Sequence, residues 1–248
     1  MKRATAVLLL LSLVAAAFPQ TIPALPKIGL TMGGGTAKGD EVATSLQILA
    51  LLTVLSLAPA LLMLTTCFTR IVIILGFVRT ALGTPSLPPN QVLVGLSLFL
   101  TLFVMKPTWD KVDEAAIKPL TNHQIDIREA VKRATPPVRD FMLRSTYTSD
   151  LRLFIDIRGG VAPKTKDELE LTTLVPAFII SELKTAFLIG FYVFIPFLII
   201  DLIVSSALMG MGMMMMPPTV ISLPAKILVF VLADGWGTLI QAILAGYR

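Results

Sequence analysis

Charge is scarce in this 248-residue chain: only 15% of its residues are Asp, Glu, Lys or Arg, against about 25% in an average soluble domain. Thiol and imidazole chemistry is scarcer still, with one cysteine, Cys67, and one histidine, His123. A disulfide within the chain is therefore excluded, and so is a zinc cluster built from Cys and His. Cys67 lies in an apolar stretch, where a buried and inert thiol is expected. A basic stripe interleaved with aromatics is also missing, which argues against nucleic acid as a partner despite the formal net charge of +5. What remains is apolar. With 55% hydrophobic residues and a mean hydropathy of +0.81, the chain reads as an integral membrane protein.

The N-terminus, MKRATAVLLLLSLVAAAFPQ, has the layout of a secretory signal peptide. Lys2 and Arg3 precede an apolar core, and Ala15-Ala16-Ala17 predicts cleavage after Ala17, giving a signal peptide over 1–17. Residues 18–44, rich in Pro, Gly and Thr, read as a flexible extracytoplasmic lead. A first hydrophobic block from Leu46 to Val78 is overlong for one span and is interrupted by Pro59, the polar group TTCFTR and Arg70. A lone arginine in hydrocarbon is costly, so Arg70 is expected to face protein, water or headgroups. The second block, Gln91 to Met105, is undersized, and the two form a helical hairpin over 45–105.

Between Lys106 and Glu170 twelve Lys/Arg face eleven Asp/Glu, so this window is nearly neutral and water-compatible. Its helical spacing predicts a small polar domain over 106–173, made of three or more short helices, one of them opened by Pro136-Pro137. A second helical hairpin follows over 174–248. Sixteen uncharged residues separate Lys184 from Asp201 and fifteen separate Asp201 from Pro217, neither a comfortable span. Placing the mature N-terminus outside puts the polar domain outside too, yet the cytoplasmic turns then carry few cations beyond Arg70 and Arg79. The positive-inside signal is poor. Helices buried against protein, in an all-α membrane protein with an inserted small extracytoplasmic domain, reconcile these features.

The stretch LMGMGMMMMPP holds six of the eleven methionines within eight residues. Three readings compete. Core filling at a helix end would place Met209, Met213 and Met216 on one face. A soft-metal site of thioethers would make the protein a copper transporter, although no His or Cys stands nearby. A deformable hydrophobic constriction would use unbranched side chains that repack around varied polypeptides. Gly210 and Gly212 permit a backbone bend, and Pro217-Pro218 are expected to end the helix at Met216.

The last two blocks carry Glu182, Lys184, Asp201, Lys226 and Asp234. Asp201 and Asp234 raise the idea of an aspartyl intramembrane protease, but the second sits in ADGW without the G-x-G-D context, and no G-x-S-G serine is present. Pairing within or between subunits is the better reading, with Glu182, Lys184, Asp201 and Lys226 mainly holding an oligomer together. Lys226 and Asp234, eight apart, lie close to one helical face. Glu182 and Lys184, two apart, must reach different partners.

The segments CFTRIVIILGFVRTALGTPSLPPNQVLVGLSLFLTLFVMKP and PAFIISELKTAFLIGFYVFIPFLIIDLIVSSALMGMGMMMMPPTVISLPAKILVFVLADGW resemble the FliP family of the flagellar type III export gate, with injectisome counterparts. The resemblance runs from about Leu46 to the end, is least distinctive in the middle domain, and favours the flagellar branch through the signal peptide. It implies a pentamer joined to FliQ-like and FliR-like subunits in the bacterial inner membrane, with much of the chain on the periplasmic side. It also implies bent hairpins lifted largely out of the bilayer, a pore through which unfolded flagellar proteins pass, and no cofactor. The family's methionine loop, which narrows the pore, maps onto Met211, Met213, Met214, Met215 and Met216. Leucine is common in the family at Met216, a swap that nearly conserves volume. With the resemblance added, the constriction reading is preferred.

Overall fold

The structure is a computed structural model that describes residues 39–84, 86–159, 169–213 and 216–247. The expected signal peptide, and the lead up to residue 38, lie outside the described residues. Two compact units divide the chain between Leu51 and Leu52, and the described part of the first is helical from Gly39 onward. Among the described residues every regular element is a helix, as expected of an all-α membrane protein. Two helices are long and apolar enough to cross a membrane, or up to four if each bent pair counts as one span.

The overlong first block is two helices, α1 (Gly39–Thr65) and α2 (Phe68–Leu82). Pro59 lies inside α1 and cannot donate to the carbonyl of the preceding turn. The TTCFTR group then ends it. The hydroxyls of Thr66 and Thr69 donate to the carbonyl of Met63 at 3.4 and 3.3 Å, and the Phe68 amide donates to Thr66 Oγ1 at 3.4 Å. Polar residues in an apolar run here satisfy the backbone groups that a helix break would orphan. At its other end α2 stops at Gly83, whose φ of 76° is left-handed and whose amide reaches the Thr80 carbonyl.

The second block is longer than its apolar run. α3 (Asn90–Val112) continues through a π-turn, Asp113–Ile117, and a last turn, Lys118–Thr121, so that 32 residues form one helical unit. It crosses Met105–Lys106 unbroken, and Lys106 and Asp110 pair at 2.9 Å one turn apart on its exposed face. The polar region then holds α4 (Ile127–Arg144) and α5 (Thr148–Arg158). Asp126 caps α4 by accepting the Glu129 amide at 2.8 Å. Pro136-Pro137 lie inside α4 and do not open a new helix. The carbonyls their missing amides leave free belong to Lys132 and Arg133, both exposed to water.

α6 (Leu171–Gly210) has 40 residues, about 60 Å at ~1.5 Å per residue. It runs unbroken through Glu182, Lys184 and Asp201. α7 (Pro218–Leu232) and α8 (Gly235–Ala245) follow, bent by 64° between them. The core lies where α2 meets α6 and α3: Ile71, Ile74, Leu75 and Val78 are fully buried against Leu174, Phe178, Ala186 and Met105. Gly190 lets the two backbones approach, since a Cβ there would fall 2.4 Å from Cδ2 of Phe77.

Candidate functional site

α6 ends at Gly210, earlier than the prolines predict. Gly212 adopts φ +73°, its amide donates to the Met209 carbonyl at 3.1 Å, and the Met213 amide donates to the Leu208 carbonyl at 3.0 Å. These two bonds, five-to-two and six-to-one around a left-handed glycine, form a Schellman cap. The helix therefore stops because Gly212 permits a left-handed residue there. Pro217 and Pro218 act in the opposite sense and start a helix, since Pro218 is the first residue of α7, where a missing amide costs nothing. A Cβ placed at Gly210 or Gly212 would meet nothing within 4 Å.

The methionines around this cap are not core. Met209, Met211, Met213 and Met216 are 59, 65, 42 and 42% exposed. Within this chain, core filling is therefore rejected for the described members of the cluster. Met214 and Met215 lie outside the described residues. Among the described residues no group of three or more His, Cys, Asp or Glu is placed to hold a metal ion.

Five charges of the apolar helices, Arg70, Glu182, Lys184, Asp201 and Lys226, fall into three clusters, each tying α6 to another element. In the first, Arg70 of α2 forms an ion pair with Glu182, and the two are 4 and 0% exposed. Tyr247 donates its hydroxyl to the other Glu182 oxygen at 2.7 Å, and its ring lies 4.1 Å from the Arg70 guanidinium carbon. Tyr247 also stacks on Phe141 of α4. Burial pushes the Tyr247 hydroxyl far above its ordinary value, so it remains a donor. Cys67 is buried beside this cluster, and burial pushes its thiol up to about 12, which agrees with an inert role.

In the second cluster, Lys184 pairs with Asp150 of α5, and the Ser181 hydroxyl reaches the other Asp150 oxygen at 2.8 Å. Burial raises the Asp150 carboxyl, but the bonds from Lys184 and Ser181 more than offset it, leaving the group below the usual carboxylate range. Glu182 and Lys184 thus take different partners. In the third, Lys226 of α7 meets Asp201 Oδ2 at 2.6 Å and donates to the Ala81 carbonyl at 3.2 Å, while Ser222 reaches Asp201 Oδ1 at 2.6 Å. Ala81 is in the last turn of α2, where exposed carbonyls favour a cation.

Asp234 does not join Lys226. α7 ends at Leu232, and Asp234 occupies the bend with φ +46°, exposed, so the helical face that would align the two is broken. Asp150, Ser181, Ser222 and Tyr247 were not foreseen from the sequence. Only Asp150 carries a signal there, as an acidic residue opening the apolar face of SDLRLFIDIR.

The FliP family model matches residues 51–243, a stretch that contains the Lys184–Asp150 and Lys226–Asp201 clusters, the Arg70–Glu182 pair and the methionine turn. The chain belongs to the FliP family. Flagellar biosynthetic protein FliP of Bacillus subtilis (strain 168) is 53% identical over 208 residues, covering 84% of this chain and 94% of that protein. FliP of Caulobacter vibrioides is 45% identical over 250 residues, covering 99% of this chain and 93% of that one. FliP of Aquifex aeolicus is 44% identical over 226 residues, with 90% and 92% covered. Family membership and the spanning helices make this FliP-family chain a membrane-embedded flagellar biosynthesis protein, and not an enzyme.

Proposed function

We propose that this chain lines the pore of a flagellar protein export gate, with Met211 to Met216 forming a deformable gasket around polypeptides in transit. Its working form is a homo-oligomer, a pentamer by the family resemblance, joined to FliQ-like and FliR-like subunits with much of the chain on the periplasmic side. One observation carries the reading: at least four methionines crowd an exposed turn held by backbone bonds, with open space around both glycines. Side chains with three rotatable bonds on a fixed turn can close an empty pore and reshape around a filled one. Gly210 and Gly212 give the bend, and Pro217-Pro218 restart the chain as α7.

Replacing Met213, Met214, Met215 and Met216 with Ala is expected to raise ion permeability in cells whose gate is assembled. Wild-type conductance together with normal assembly would end the gasket reading for these residues. The charges Glu182, Lys184, Asp201 and Lys226 fit a scaffold role, because each fixes α6 against a neighbour and so sets the shape that copies would present to one another.

A further inference from the structure

The sulfur atoms of this chain divide sharply by accessibility. Met105 and Met142 are 0 and 1% exposed, inside the core. Cys67 is fully buried, and with its thiol pushed up to about 12 almost none is thiolate near neutrality, so it offers oxidants no nucleophile. Met63 is exposed but stands alone among the leucines of α1. Among the described residues, exposed thioethers cluster only at the cap of α6, at Met209, Met211, Met213 and Met216.

We propose that this turn is a site of reversible oxidation, in which a two-electron oxidant of the peroxide class converts the clustered thioethers to sulfoxides and opens the seal. The opening rests on the gasket reading above; the oxidation does not. In each event a sulfur lone pair attacks a peroxide oxygen, an S–O bond forms as the O–O bond breaks, and hydrogen peroxide leaves as water. Sulfur loses two electrons and the peroxide gains them. A dithiol reductant reverses the step, supplying two electrons and two protons and releasing the oxygen as water.

The structural consequence follows from what holds the turn. Its bonds run from Gly212 to Met209 and from Met213 to Leu208 through the main chain, so the turn survives changes to its side chains. What changes is chemistry at the surface. A thioether is apolar, whereas a sulfoxide is a strong acceptor that draws water. Four such groups per chain around a narrow pore replace a dry constriction with a hydrated one.

The experiment treats the assembled complex in lipid nanodiscs with hydrogen peroxide, maps sulfoxides by peptide mass spectrometry, and measures ion conductance in liposomes. The four loop methionines are expected to oxidise about tenfold faster than Met105 and Met142. Conductance should rise with their oxidation and fall again after treatment with methionine sulfoxide reductases of both stereospecificities. Replacing every thioether of the stretch (Met209→Leu, Met211→Leu, Met213→Leu, Met214→Leu, Met215→Leu and Met216→Leu) should abolish the peroxide-induced increment. Equal oxidation of loop and core methionines overturns the site. Sulfoxides in the loop without a conductance change overturn the switch. If Ala substitution in the loop also leaves conductance unchanged, the gasket reading has failed as well, which separates the two failures.

Discussion

At the scale of single residues, the apolar helices tolerate charge because each buried ion has a specific partner. Removing one partner of a buried pair costs about 3–5 kcal/mol because the other charge is stranded, so Arg70 and Glu182 are effectively one unit. Asp150 gives this a pH dependence. Its native carboxyl lies below the ordinary value near 3.8, so the docking of α5 on α6 is fully supported above that value. Support is lost as pH falls through the depressed native value and the Lys184 bond loses its anion. Pepsin cleavage within 148–158 should therefore increase as the pH is lowered below about 4. Asp150→Asn, which cannot titrate, should give a cleavage rate that follows only the protease's own profile; identical profiles for the two proteins would refute the assignment.

At the scale of elements, the close approach of α2 and α6 is set by Gly190. An added Cβ would lie 2.6 Å from Cγ and 3.1 Å from Cβ of Phe77, atoms near the backbone that cannot simply swing aside. Gly190→Ala is expected to cost about 1–3 kcal/mol by overpacking, read from thermal unfolding in detergent. Phe77→Ala added to it should recover part of that loss, a negative coupling in a double-mutant cycle; strict additivity would show that the contact is unimportant. Helix type and the apolar blocks were legible in the sequence because period and composition are local properties. Helix ends were less so. The expected stop at Met216 followed the prolines, whereas Gly212, by accepting a left-handed φ, ends α6 sooner. The expected start at Pro136-Pro137 overlooked carbonyls that water can satisfy. The methionine turn was visible as a loop-forming cluster, while the partners of Glu182 and Asp201 were not, since Arg70 is 112 residues from Glu182 and no local pattern reports such a contact.

At the scale of the whole molecule, faces of α3, α6 and α7 expose Phe99, Phe103, Phe191 and Leu232 to whatever surrounds the chain, an apolar surface suited to lipid or to other protein. If the Asp201–Lys226 pair sets the shape needed for assembly, Lys226→Asp or Asp201→Lys alone should abolish the assembled complex on native gels. The exchanged double variant should restore part of it; normal assembly of both single variants would refute the scaffold role. The separation of Arg70 from Glu182 also has a consequence in time. A ribosome adding ~5–20 residues per second takes about 6–22 s to make the intervening chain. For that interval α2 exists with an arginine and no Glu182 carboxylate to receive it, so its final packing is settled only once α6 has been synthesised.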